Sequence, residues 1–466
     1  MTEEKQLSLA QAGLFHWPRT CQFCYNMPMA KQDEEKSLST ESYKGVRDFY
    51  PEDQFVQNYI FGVMGKVAKQ FGYQEYGASV LEPAELYRAK SGEEIVNEQT
   101  YTFADRGDRE VTLRPEMTPT VARMVAAKRR ELSFPIRWYS IPNLFRYEKP
   151  QRGRLREHWQ LNVDIFGVES IQAEVEIISL ASEIMRAFGV TDNQFEIRVN
   201  NRKVVNYILK TLMGLTTETA GKVAKAIDRK EKVSHEVFGK MITDIVGEKD
   251  NFLLTLLSSK NFEEFVERLP EDAKLHDGIK EIKTLIQALE KLGITNVVFD
   301  QTLMRGFDYY TGIVFEVFDL NPANRRALFG GGRYDDLLEI FEQEKVPTVG
   351  FGMGDVTMRD VLETYNLLPA FKTSTKLVIC TVGAEHVDYA QELAQKLRAK
   401  NISVVVDYSG KKVGDQIKRA DKQGVPFVIC VGEEEVESGK LKIKNLKTAE
   451  EKVLAEDEVA KFILTV

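Results

Sequence analysis

The side chains of this sequence that could do chemistry gather first between Tyr139 and Gly167. Gln160, Asn162 and Asp164 alternate with Leu161, Val163 and Ile165, so a strand here puts three polar groups on one face and three apolar groups on the other. Upstream, Arg146 and Glu148 share a parity, and the intervening loop holds Lys149, Arg152, Arg154 and Arg156. Cations, an amide and an acid on one surface suit an anionic ligand with a second, polar end; a solvated hairpin tip is the competing reading. In Arg114-Pro115-Glu116-Met117-Thr118 a carboxylate stands between a proline and a predicted helix entrance. Glu116 there either caps the helix or takes up an ammonium group. Arg305-Gly306-Phe307-Asp308-Tyr309-Tyr310-Thr311-Gly312 brings a cation, a glycine that permits close backbone approach and paired phenols into one loop between strands.

The elements that must position these residues belong to more than one core, because 466 residues exceed what a single core holds. Residues 1–40 read as an irregular tail. A helix carrying Phe55, Ile60, Val63, Met64 and Val67 opens an α+β region over 41–200. Tyr73 to Leu81 is predicted as a strand, with short strands at Tyr101–Phe103 and Val111–Leu113 and a helix over Glu174–Phe188. Between 201 and 293 the periodicity is helical throughout, an all-α insertion. Its Lys222, Lys225, Arg229, Lys230 and Lys232 form either an RNA-facing cluster or a solvated helix face. Strands return over 294–368, with Gly330-Gly331-Gly332-Arg333-Tyr334-Asp335 expected to open a helix. Val349 to Gly354 is expected as a buried strand whose glycines let a ligand approach, with Asp355 capping the last helix of the domain. Residues 373–466 alternate strand and helix as a separate α/β domain with a mostly parallel core, in which Cys380 and Cys430 are core residues.

Composition narrows the classes. A net charge of −8 argues against coating nucleic acid but permits a local basic patch. Four cysteines make no disulfide framework, so a reducing cytoplasm is expected. No apolar run approaches the ~20 residues that span a membrane, and no signal peptide is evident. Cys21-x2-Cys24 with His16 has metal-ligand spacing, but no second pair completes a tetrahedral site, so no metal centre is assigned.

Phe145-Arg146-Tyr147-Glu148, the basic loop and Gln160-x3-Asp164 resemble motif 2 of a class II aminoacyl-tRNA synthetase. Arg305-Gly306-Phe307-Asp308-Tyr309-Tyr310 resembles the signature peptide of the histidyl-tRNA synthetase family, and Arg114-Pro115-Glu116-x-Thr118 and Gly330-Gly331-Gly332-Arg333-Tyr334-Asp335 agree. The resemblance runs from about Gly45 to the C-terminus. It implies an α+β, antiparallel-sheet class II catalytic domain with an all-α insertion, plus a C-terminal α/β anticodon-binding domain. It implies activation of L-histidine by ATP, with Mg2+, and transfer to tRNA(His) by a homodimer.

By the same resemblance Arg146 and Arg305 are the catalytic cations. Glu116, Met117 and Thr118 hold the histidine ammonium end, Gln160 its carboxylate, and Asp164, Tyr309 and Tyr310 the imidazole. Glu148, Arg154 and His158 join Arg146 at ATP, and Lys149, Gln151 and Arg152 meet the tRNA acceptor end. Three positions depart from the family pattern. The early proline of motif 1 is replaced near Ser79, His158 stands where a Phe commonly stacks on adenine, and Val356-Thr357 replaces the Glu-Arg of motif 3, whose Arg meets the γ-phosphate; Arg359 is a candidate substitute. Two rival readings remain: the regulatory subunit of ATP phosphoribosyltransferase, which typically lacks the signature peptide and the C-terminal domain, and a tRNA-binding accessory protein.

Overall fold

The computed structural model of the chain describes residues 38–89, 99–230, 233–247, 250–304, 309–322, 324 and 327–465. Arg305 to Asp308, Lys232 and the Cys21–Cys24 pair lie outside them, as does most of the predicted tail.

Helix α1 (Pro51–Gln70) starts at a proline, whose missing N–H costs nothing in a first turn. It buries Ile60, Met64, Val67 and Ala68. The strand expected from Tyr73 to Leu81 is broken into β1 (Gln74–Glu75) and β2 (Leu81–Pro83). The carbonyls between them are spoken for: Arg114 Nη1 donates to Ala78 O and Ser79 O, at 2.8 and 3.1 Å. β2 joins β3 (Tyr101–Ala104) and β4 (Glu110–Leu113) in a small antiparallel sheet. Helix α2 (Thr118–Ala127) follows.

Among the described residues nine strands build the main sheet, in the order β1-β5-β7-β12-β11-β10-β8-β9, with β6 paired to β7. They are β5 (Ile136–Ser140), β6 (Asn143–Phe145), β7 (Glu157–Phe166), β8 (Phe195–Asn201), β9 (Val297–Phe299), β10 (Ile313–Asp319), β11 (Ala327–Arg333) and β12 (Thr348–Gly354), besides β1. All pairs are antiparallel except the two at the edges, β1 with β5 and β8 with β9. Leu161, Val163 and Ile165 of β7 face α1 and α3 (Gln172–Ala187), whose Ile177, Ile178, Ala181 and Ile184 complete a dry core. Removing one such side chain costs about 2–5 kcal/mol.

The glycine triplet forms strand β11 rather than opening a helix; only a short 3-10 turn, Leu337–Phe341, follows it. A Cβ on Gly331 would stand 1.9 Å from Gly350 O, so no larger residue fits between the neighbouring strands. Arg333 closes β11 onto α3 through a buried two-toothed pair with Glu174, at 2.6 and 2.8 Å.

The insertion between β8 and β9 is helical, running from Arg202–Asn206 to Asp277–Lys291. Ile279, Ile282, Leu285 and Leu289 are buried as their spacing predicts. Two of the basic side chains are held locally, Lys222 by Glu218 at 2.7 Å and Lys230 by Leu257 O at 2.8 Å. In the C-terminal sheet β14 (Val404–Val406), β13 (Leu377–Thr381) and β15 (Phe427–Val431) are parallel. The antiparallel β16 (Lys440–Asn445) and β17 (Glu451–Ala455) and the helix Glu456–Thr465, absent from the sequence reading, complete it. Cys380 is fully buried on β13, directly opposite the half-buried Cys430 on β15.

Candidate active site

Three antiparallel strands, β7, β12 and β11, carry the site. Gln160, Asn162 and Asp164 point off β7 into a chamber that is also lined by Glu116, Thr118, Arg146, Tyr309, Tyr310 and Tyr334. Glycines on the next strand make this possible. A Cβ at Gly350 would stand 2.1 Å from Asp164 Oδ1, and one at Gly352 would stand 2.7 Å from Gln160 Cδ. These glycines clear space for the side chains of Asp164 and Gln160.

The chemistry of the chamber is polarised. Asp164 is buried and its Oδ1 accepts a short hydrogen bond from the Tyr334 hydroxyl. Burial pushes the Asp164 carboxyl up to about 7, only partly offset by that bond. Tyr309, Tyr310 and Tyr334 form an aromatic wall with ring centroids 5.0 to 6.5 Å apart. At the other side Glu116 is buried and accepts from the Tyr309 hydroxyl at 3.3 Å. It does not cap α2, whose first turn has no side-chain cap. Met117, expected beside the ligand, is fully buried and is not among the lining residues. Two buried carboxylates, three phenols, Arg146 and Gln160 lining one chamber fit a small molecule with a cationic end, an anionic end and a planar polar group.

Arg146 and Gln160 also line a second chamber, which shares Gly330 and Gly352 with the first. Arg146 is aimed by its Nε, which donates to Pro115 O at 2.9 Å. Here lie Glu148, Arg154 and His158, with Glu316, Leu328, Phe329, Val356 and Thr357. Arg154 Nη1 approaches Glu148 Oε2 at 3.3 Å. Burial, then the nearby Arg146 and Arg47 guanidiniums, push the His158 imidazole down to about 3, so it is neutral at physiological pH and presents a flat, uncharged ring. Lys149, Gln151 and Arg152 lie on the exposed loop beyond, outside both chambers.

Two expectations at the start of α4 (Asp355–Thr364) are corrected. Asp355 does not cap it: the fully buried carboxylate accepts from Arg47 Nη2 at 2.7 Å, Gln57 Nε2 at 3.0 Å and Trp159 N at 2.9 Å, bolting α4 to α1 and β7. Arg359 does not replace the motif 3 cation, because its guanidinium turns to Asp53 at 2.8 Å and Glu363 at 3.0 Å. Tyr334, which lines the chamber and bonds to Asp164, is not among the residues singled out from the sequence. It was visible only as part of a glycine motif, and its contact with Asp164 spans 170 positions. Arg114 is structural, with Nε and Nη2 on Asn143 O and Oδ1 and Nη1 on the β1–β2 connection.

The sequence and the fold match those of known proteins. A family profile described as histidyl-tRNA synthetase matches residues 45–355, and one described as an anticodon binding domain matches 376–465. A histidine–tRNA ligase of Leptospira biflexa is 43% identical over 426 residues, covering 89% of this chain and 94% of the relative. One from Thermoplasma volcanium is 36% identical over 429 residues, covering 91% and 99%. The crystal structure of histidyl-tRNA synthetase from Nostoc sp. PCC 7120 superposes with a TM-score of 0.76 at 22% identity, over 92% of this chain and 100% of that one, a likeness of fold. With both profiles matched in order along the chain, this protein belongs to the histidyl-tRNA synthetase family.

Proposed function

We propose that the joined chambers are where L-histidine and ATP are condensed to histidyl-adenylate, which is then transferred to the 3' end of tRNA(His). The observation that carries this is a polar chamber with two buried carboxylates and three phenols adjoining a second chamber, with Arg146 and Gln160 lining both. In the smaller chamber Glu116 and Thr118 take the ammonium group, Gln160 and Arg146 the carboxylate, and Asp164 with Tyr309, Tyr310 and Tyr334 the imidazole. A buried carboxylate that accepts from the ring N–H rejects isosteres lacking that donor, because the acid would be left unpaired.

In the larger chamber His158 and Phe329 flank the adenine, and Arg154 meets the triphosphate when it exchanges Glu148 for phosphate oxygens. The barrier is the approach of one anion to another. Arg146, fixed at the junction, lowers it by positioning and charge neutralisation, and Arg305 is assigned the opposite side by its place in the signature peptide. Magnesium would enter with the nucleotide, since the carboxylates lining this chamber, Glu148 and Glu316, could complete the shell of an ion already held by phosphates.

The wider assignments rest on the family and the surfaces. Lys149, Gln151 and Arg152 on the loop face the acceptor end of tRNA. The proposed boundaries are 41–200 and 294–368 for the catalytic domain, 201–293 for the insertion and 373–466 for the anticodon-binding domain. A second copy of the chain would cover the groove between α1 and the short edge strand β1, lined by Phe61, Gly62, Gly65, Tyr139 and Ile141 and by the polar Lys66, Lys69, Gln70 and Glu75. No helix among the described residues is long and apolar enough to cross a membrane, and a cytoplasmic setting fits the free Cys380 and Cys430. The anticodon-domain match disfavours the phosphoribosyltransferase-subunit reading. Histidine-dependent pyrophosphate exchange followed by charging of tRNA(His) tests the whole; absence of both in the folded protein would favour the silent paralogue or accessory protein.

A further inference from the structure

The γ-phosphate end of the nucleotide chamber carries a substitution pattern of its own. Thr357 occupies the motif 3 arginine position, and its hydroxyl is spent on Leu328 O at 2.9 Å and Gly354 O at 3.1 Å. Arg359 is bound to Asp53 and Glu363. The face of α4 beside Thr357 therefore offers no cation to the loop above it. It offers an acid instead: Asp360 is about half-buried, and its Oδ1 lies 3.8 Å from Arg152 Nε.

The loop is shaped to bring this pair together. Gln151 N donates to Arg154 O and Arg154 N to Gln151 O, at 3.0 and 2.9 Å, closing a four-residue turn with Arg152 and Gly153 at its tip. Gly153 adopts φ +75°, as the third residue of a type II turn requires. A Cβ built on it would touch Asp360 Oδ2 and Thr357 Cγ2, both at 3.7 Å, so the tip rests against α4. The turn also separates its two arginines, Arg152 toward Asp360 and Arg154 toward Glu148 at the chamber wall.

We propose that Asp360 is a positioning residue for ATP: through Arg152 it anchors the motif 2 loop on α4, so that Arg154 is held over the triphosphate site in place of the missing distal arginine. This rests on the assignment of ATP to the larger chamber. It also moves Arg152 from the tRNA-facing set to the loop's own anchor. A loop fixed before the nucleotide arrives does not charge its ordering entropy to binding. The competing role for Asp360 has the opposite sign, since an unanchored carboxylate beside the triphosphate would repel ATP and its removal would tighten binding.

The test is histidine-dependent pyrophosphate exchange with the full chain, comparing the unmodified protein with Asp360→Asn, Arg152→Gln and the swap Arg152→Asp/Asp360→Arg. Limited trypsin cleavage after Arg154 and Arg156, the loop sites that every variant keeps, is followed in parallel. Either single variant is expected to raise the KM for ATP about 3- to 10-fold with the KM for histidine unchanged, and to speed cleavage of the loop; the swap restores both toward normal. An unchanged or lowered KM for ATP in Asp360→Asn, or loop cleavage as slow as in the unmodified chain, overturns the proposal. Arg152→Gln alters only an exposed side chain, so it reports on the anchor even if the Asp360 variant folds poorly. Cleavage rates read the anchor without catalysis, so failure of the unmodified protein to exchange pyrophosphate would count against the ATP assignment alone.

Discussion

At the scale of single residues, the site works by making a carboxylate expensive and then giving it one partner. Asp164 titrates near 7 in the folded chain and near 3.9 when unfolded. As pH rises the unfolded chain gives up its proton first, so the stability contributed by the buried acid is complete below about pH 4 and is lost as pH climbs to 7. Asp164→Asn is expected to flatten that fall in Tm between pH 5 and 7, while raising the KM for histidine on the order of 100-fold in pyrophosphate exchange. Tyr334→Phe leaves Asp164 without its donor; the expected result is a KM for histidine raised about 10-fold, with the KM for ATP unmoved. The pattern Gln160-x3-Asp164 was legible because strand parity alone puts both groups on one face. Tyr334 was not, since the partner that gives it meaning lies on a strand joined only through β12.

At the scale of elements, the three-strand floor depends on what is missing from β11 and β12. Gly350→Ala drives a methyl group into Asp164, and we expect loss of histidine-dependent exchange greater than loss of stability, read by comparing kcat/KM with Tm. Asp355 serves the opposite purpose: one fully buried carboxylate collects Arg47, Gln57 and the Trp159 amide. Asp355→Ala should destabilise the chain by about 3 kcal/mol in denaturant titration, because it leaves Arg47 partly buried and uncompensated. The strand β12 and the helix α4 were read from sequence as to type, whereas the glycine triplet of β11 was read as opening a helix and Asp355 as a cap, each for a physical reason. Glycines in a row carry turn propensity, and an acid after glycine carries capping propensity, but tertiary packing overrode each local preference. The break after Glu75 has the same origin, in the guanidinium of Arg114 some 40 positions away.

At the scale of the molecule, α1, the central strand β7, the helical insertion and the parallel strands of the C-terminal sheet follow the periodicities of their segments. What the sequence left out, β16, β17 and the last helix, is polar at alternate positions and charged at its ends, so it resembles a solvated tail until its apolar half meets the parallel strands. In that domain Tyr408 is 62% exposed beside Lys411 and Lys412, an aromatic and two cations suited to an unstacked base and its phosphates. Lys411→Glu with Lys412→Glu is expected to lower kcat/KM for tRNA charging about 10-fold or more and to leave pyrophosphate exchange intact, because adenylate formation needs only the two chambers. The most direct test is pyrophosphate exchange run with each amino acid in turn on the unmodified protein and on Arg146→Ala. Exchange with histidine alone, reduced about 1000-fold or more by Arg146→Ala, is the predicted result. Exchange driven by another amino acid, or near-normal histidine-dependent exchange without Arg146, would contradict it.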